Sequence, residues 1–383
     1  MPIDLRSWIN PQSYSNSYST APIAREAAYF TPVPEPVTAD PDYISAEARE
    51  YEAVGYDSSI IPQSATWPDV TVTAAWALAR TSRLRVVLAH RPGTQAPTAA
   101  ARALATLDRV SAGRTGLHLI LGSRGGSDLP RDGDHADREA RYRRAAEYLE
   151  IFTAVLTRDD PFDFDGEFYQ VRGAFSGAKP VQSPRPVISL PAESPEAVQL
   201  AARYADVLAF HGISPARAAG KIAQAKEAAT AAGRSQPPGF WVNLNLLPGE
   251  TDEAARQHLR DLEQSIRRLQ EFRAGGPRPG IRSIREDRFA DIDETALWED
   301  DVLYLGLTRL SRATPTLVGS PSTIADAVLA YHDLGVGVVT LGSHVTSQRD
   351  AELRAETLRL IKQTVTVRDA AAPRPATTAT TAA

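Results

Sequence analysis

The sequence predicts an α/β protein built as a (β/α)8 barrel with insertions. Three observations carry that expectation. Short β-branched apolar runs alternate with helical stretches along most of the chain, which is the pattern of repeated βαβ units. One such unit is legible whole between Leu84 and Ser123. The apolar runs end in polar or small residues, at the strand edge where barrels place their ligands. Examples are His90-Arg91, Gly122-Ser123, His211-Gly212 and Gly342-Ser343-His344.

Taken in order, Leu5–Ile9 reads as the first strand, through Leu5, Trp8 and Ile9. Residues Gln12 to Thr20 read as a polar loop, and Thr31–Val37 as an extended connector set by Pro32, Pro34 and Pro36. A helix is expected from Pro41-Asp42 to Gly55, then a strand over Ser58–Ile61. The loop Gln63–Asp69 follows that strand, which puts Trp67 on the ligand side of a barrel. Val70–Arg80 reads as a helix and Leu84–Ala89 as a buried strand. Pro97 opens the next helix, where its missing N–H costs nothing. That helix stops near Ala112-Gly113, and Leu117–Leu121 is the next strand, carrying His118.

Arg138–Leu156 reads as a long helix with Tyr148, Ile151, Phe152 and Val155 on one face. Phe162–Val171 has a hairpin pattern turning at Asp165-Gly166. Strands are expected at Pro186–Leu190, Asp206–Phe210, Phe240–Leu247 and Val336–Leu341. Helices are expected up to Tyr204, over Ile213–Arg234, over Thr251–Phe272 and over Ser322–Leu334. Val302–Leu307 looks strand-like. Residues 273–299 are rich in Gly, Pro and charge, and read as a mobile lid insertion. One barrel domain is therefore expected over residues 1–365, followed by a disordered Ala/Thr/Pro tail over 366–383.

Composition narrows the function. The 383 residues carry a net charge of −5 with both signs dispersed, so no nucleic-acid footprint is present. Without cysteine there is no disulfide, thiolate metal site or thiol nucleophile, and no metal site is expected. No apolar run approaches the ~20 residues of a membrane span. The N-terminus lacks the apolar core of a signal peptide, so a cytoplasmic location is expected.

The run A-x-R-P-x-x-x-x-P-T-x-A-A-R-x-x-A-T-L-D-R-x-S-x-G-R, from Ala89 to Arg114, resembles the bacterial-luciferase-like flavin-dependent monooxygenases. Its closest likeness is to the alkanesulfonate monooxygenase branch, and it extends from about Leu5 to Leu360. The resemblance implies reduced FMN supplied by a separate NAD(P)H:flavin reductase. It also implies O2 as co-substrate, a flavin hydroperoxide shielded in the barrel mouth, and a small-molecule substrate. A homodimer or homotetramer is expected. Asp108 and Arg109 would tie helix to strand. The resemblance implies cofactor-binding roles for Arg91, His118 and Tyr142, with His118 donating to a flavin carbonyl. Ser194 would sit at the phosphate, with Ser123 and Arg124 adding to the site. Pro191 and Glu193 depart from the family's Gly-Gly-Ser-Ser, and Glu193 would set a negative charge against the phosphate.

On the substrate side, Trp67 stands where the family has a cysteine, and Asn243 and Asn245 stand where it has arginine and histidine. Loss of those cations argues against a simple alkanesulfonate. His344, His211 and Arg309 are the expected catalytic residues, the histidines because imidazole titrates near neutrality and the arginine because it would close over the mouth. Two further readings remain open from the residues. One is a deazaflavin-dependent hydride-transfer enzyme of the same superfamily, and the other is a non-catalytic ligand-binding relative.

Overall fold

In the computed structural model, eight short apolar runs pair side by side as parallel strands and close on themselves. The structure describes residues 2–10, 39–122, 128–274, 297–311, 314–343, 345 and 347–371. The barrel strands are β1 (Asp4–Trp8), β2 (Ser58–Ile61), β3 (Arg85–His90), β4 (Thr115–Leu119), β7 (Val187–Pro191), β8 (Val207–His211), β9 (Gly239–Pro248) and β12 (Val336–Gly342). Each pairs in parallel with the next, and β12 returns to β1 while β8 joins β9. Closure leaves no edge along the eight-stranded ring. It also buries most of both faces of the strands, which favours apolar residues toward the helices and leaves the polar strand residues to face the inside of the barrel.

Between the strands run α1 (Pro41–Val54), α2 (Val70–Ala79), α3 (Pro97–Val110), α4 (Asp128–Arg131), α5 (Arg138–Thr157), α6 (Pro195–Tyr204), α7 (Pro215–Ala231), α8 (Asp252–Ala274), α9 (Gly306–Ser311), α10 (Pro321–Asp333) and α11 (Gln348–Ala371). Pro41, Pro97, Pro195, Pro215 and Pro321 each stand in the first turn of a helix, where no intrahelical N–H is required. Asp40, Asp69, Asp137, Ser194 and Ser320 cap helices with their side chains. The main core lies between helices and barrel, with Leu5, Ile61, Leu119, Phe152, Ile188 and Leu341 among its members. A smaller cluster of Ile60, Val87, Ala209 and Trp241, with Trp8, Val207 and Val338 against it, packs apart from that core and fills the inside of the barrel.

Two excursions leave the barrel. A hairpin of β5 (Phe162–Asp165) and β6 (Gln170–Ala174) follows α5. Asp165 pairs with Gln170, so the turn spans Gly166 to Tyr169 rather than Asp165-Gly166 alone. Glu147 of α5 pins it by accepting the backbone N–H groups of Glu167, Phe168 and Tyr169. A Cβ on Gly166 would fall 2.4 Å from that carboxylate, so the close approach requires glycine. The second excursion holds β10 (Leu303–Tyr304) antiparallel to β11 (Thr316–Gly319), which itself extends β9 in parallel.

The expected strand over Val302–Leu307 is thus only two residues long, because Gly306 begins a helix. A short apolar run does not separate a strand from a buried helical turn. The strand expected at Leu117–Leu121 lies two residues earlier, at Thr115–Leu119. Residues 366–371, expected in the disordered tail, belong to α11. Val365 is buried, Arg368 pairs with Asp333, and Asp369 bonds to His332 Nε2, so contacts with α10 hold this turn. The loop at Gln12–Thr20 and the connector at Thr31–Val37 lie outside the described residues, as does nearly all of the proposed 273–299 lid.

Candidate active site

Strand alternation and register decide what faces the inside of the barrel. Arg6 of β1, Thr340 of β12, Asn243 of β9 and His211 of β8 stand opposite one another in register across four neighbouring strands. Ser58 of β2 continues the row beside Arg6. Arg6 is 6% exposed. Its Nε donates to Ser58 Oγ at 2.8 Å and its Nη2 to Asp4 Oδ2 at 2.9 Å. The guanidinium lies 4.3 Å from the centroid of the Trp241 ring. Burial lowers the Arg6 pKa, and Asp4 acts against that. Trp241 Nε1 donates to Thr340 Oγ1 at 2.7 Å. This fully buried indole is therefore fixed at its edge by a hydroxyl and at its face by a cation.

His118 of β4 meets Trp241 edge-on, with ring centroids 4.7 Å apart. Burial, then Arg6, then His211 push its pKa down to about 3, so the imidazole is neutral near pH 7. Its Nδ1 lies 3.0 Å from Ser189 Oγ, and Ser189 Oγ in turn donates to Leu117 O at 3.1 Å. In the tautomer that matches a Ser189 hydroxyl donating to Leu117 O, Nδ1–H of His118 donates to Ser189. A neutral imidazole carries one N–H, which leaves Nε2 as an acceptor. In that tautomer the ring offers a lone pair at Nε2, whereas the other tautomer would supply the donor expected toward a flavin carbonyl.

Asn243 and Asn245 lie two residues apart on β9, on one face, 9% and 7% exposed. Asn245 Nδ2 donates to Thr314 O at 3.3 Å. Its Oδ1 occupies the space beside Gly342, where a Cβ would fall 2.4 Å from it. Asn243 Oδ1 is buried with no donor among the described residues.

A second cluster forms where α5 passes the start of α6. Ser194 caps α6. Tyr142 Oη lies 3.4 Å from Ser194 Oγ, and Arg138 Nη2 donates to the same oxygen at 2.8 Å. The Arg138 guanidinium also lies 5.4 Å from the Tyr142 ring centroid and 3.0 Å from Glu196. Sequence reasoning named Tyr142 and Ser194 but missed Arg138. The available signal was its position one helical turn before Tyr142, on the same face.

Glu193 does not face this cluster. One carboxylate oxygen accepts the His211 backbone N–H at 2.7 Å, and the other accepts from Lys221 Nζ of α7 at 2.9 Å. Burial raises its pKa, but His211 and Lys221 outweigh that and hold it below the ordinary value. The negative charge expected against a phosphate is instead matched by Lys221 and holds the end of β8.

The remaining expected residues are dispersed. Arg91 follows β3, is 3% exposed, and pairs with Asp132 at 2.6 Å. Trp67 is half-buried in the loop after β2. Arg309 is half-buried on α9, upstream of the Thr314 carbonyl that holds Asn245. Ser123, Arg124 and His344 lie outside the described residues. Asp108 makes the expected tie: Thr115 Oγ1, Gln182 Nε2 and the backbone N–H groups of Val181 and Gln182 all donate to it. Arg109 is exposed. Arg6 went unread because a charge between Leu5 and Ser7 suggests a solvent-facing position, and only closure turns it inward.

Residues 21–337 match the family model described as luciferase-like monooxygenase. Among solved structures, a riboflavin lyase determined with modified FMN and riboflavin is 16% identical, with a TM-score of 0.70 over 97% of this chain and 93% of that one. The EDTA monooxygenase of Chelativorans sp. BNC1 is 17% identical, with a TM-score of 0.69 over 98% and 96%. The coenzyme F420-dependent tetrahydromethanopterin reductase of Methanopyrus kandleri is 16% identical, with a TM-score of 0.65 over 95% and 98%.

Proposed function

The chain belongs to the luciferase-like monooxygenase family, and from that premise we propose that it is a two-component FMN-dependent monooxygenase. It takes reduced FMN from a separate NAD(P)H:flavin reductase and transfers one oxygen atom of O2 to a small organic substrate. The observation that supports flavin mononucleotide is the cluster of Arg138, Tyr142 and Ser194. A guanidinium, a phenol and a helix-capping hydroxyl converge there, which is a donor set suited to a phosphate dianion. Glu193 is turned away to Lys221, while Glu196 holds Arg138 through both carboxylate oxygens, so a phosphate would have to take Arg138 from Glu196. When bound, reduced FMN supplies the electrons and activates O2.

The chain's own residues then have separable tasks. Arg138, Tyr142 and Ser194 hold the phosphate end. Trp241, Ile60, Val87 and Ala209 give the barrel a dry floor, and exclusion of water protects reactive oxygen species from hydrolysis. His118 accepts a hydrogen bond at Nε2. His211, at the end of β8, is assigned the exchange of a proton with substrate. With Asn243 and Asn245 in place of cations, the substrate is not a simple alkanesulfonate.

The test is anaerobic titration of reduced FMN. A charged hydrogen bond contributes about 1.5–3 kcal/mol, so Arg138→Ala should weaken binding by about ten-fold or more, and Tyr142→Phe should weaken it less. Unchanged affinity in both variants would sink the phosphate site. Binding of coenzyme F420 in place of FMN, with hydride transfer and no oxygen consumption, would replace this reading by the deazaflavin one.

A further inference from the structure

The polar groups inside the barrel are sorted by sign of hydrogen bonding. Arg6 is held by Asp4 and Ser58. The Thr340 hydroxyl takes the Trp241 N–H. Asn245 is anchored through its amide nitrogen. In the tautomer that donates Nδ1–H to Ser189, His118 keeps Nε2 as an acceptor. Asn243 Oδ1 is a second acceptor, buried without a donor. Both groups flank Trp241: His118 touches its ring, and Asn243 lies two residues on along the same face of β9. An unmatched buried acceptor is costly unless a ligand completes it. Among the described residues, the nearby carboxylates are already matched, Asp4 by Arg6 and Glu193 by Lys221. An anionic ligand would be repelled by two lone pairs, and a cation would find no counter-charge.

We propose that Asn243 is a specificity-determining residue, whose Oδ1, with His118 Nε2, selects a neutral substrate bearing N–H or O–H donors beside the carbon or heteroatom to be oxidised. This rests on the monooxygenase reading for what happens to that substrate, but not for its binding. Amides, imides and alcohols fit; their N-methyl and O-methyl counterparts do not.

Matched pairs test it: succinimide against N-methylsuccinimide, and cyclohexanol against methoxycyclohexane. Affinities are read by ligand-observed NMR on the whole protein, with and without saturating FMN. In the wild type the methylated member of at least one pair should bind about ten-fold more weakly, the scale of one buried unmatched acceptor. Which pair responds tells N–H from O–H. Asn243→Leu, of similar size and apolar, should abolish the preference. Asn243→Asp, a near-isostere that keeps the acceptors and adds charge, should instead gain affinity for cyclohexylammonium. Equal binding within both pairs in the wild type overturns the proposal, as does a preference that survives Asn243→Leu or disappears once FMN is bound. If the preference holds while reduced FMN fails to bind, the donor-selective site stands and the flavin reading fails.

Discussion

At the scale of single residues, protonation is set by burial more than by charge. His118 has a folded-state pKa of about 3 against an ordinary value of 6.5. Between those values the unfolded chain binds a proton that the folded chain does not. Stability on this account is full above pH 6.5 and falls as pH drops, by about 1.4 kcal/mol per pH unit once inside the window. His90, pushed down to about 4 mainly by burial and bonded to the Tyr148 hydroxyl, acts in the same direction. Urea unfolding near pH 5 and pH 7 should therefore show a smaller pH dependence for His118→Asn than for the wild type. The His90 contribution cancels in that comparison. Equal dependence in the two proteins would show that His118 titrates normally. The sequence located His118 and Asn245 but not their hydrogen-bonding partners. Those partners are Ser189 and Thr314, far along the chain, whose contacts exist only after closure.

At the scale of elements, strand and helix positions were largely legible, because β-branched runs and proline-opened helices write their own boundaries. The misreadings share a cause. Val302–Leu307 and residues 366–371 are short or polar stretches whose state is decided by neighbours rather than by local pattern. Asp108 shows how such neighbours act. It is fully buried and joins α3 to the start of β4 and to the segment leading into β7. Asp108→Ala strands two backbone N–H groups and the Thr115 hydroxyl, and should cost about 3 kcal/mol or more, visible as a large drop in the urea midpoint. A loss below about 1 kcal/mol would mean that other groups or water replace the carboxylate. Val365→Ala, at the end of α11, should cost about 1–2 kcal/mol by cavity formation. A neutral result there would argue that this end of α11 contributes little to stability.

At the scale of the whole molecule, β9 carries the connectivity. It pairs with β8 and β12 along its first part and with β11 beyond, so its amides are enclosed on both sides. Hydrogen exchange should be slowest there, within Val242 to Leu246, and much faster at the exposed end of α11. Comparable rates would mean the barrel opens along β9. The sequence foretold eight parallel strands but could not foretell this, since a ten-residue apolar run says nothing of how many partners it will meet. The same strand places Trp241 where optics can reach it. An indole held between a guanidinium and an imidazole, with its N–H fixed on Thr340, should emit at short wavelength and resist quenching by iodide. With Trp8, Trp67, Trp76 and Trp298 replaced by phenylalanine, its emission becomes a label-free reporter inside the barrel, so each arrival of flavin or substrate can be timed by colour alone.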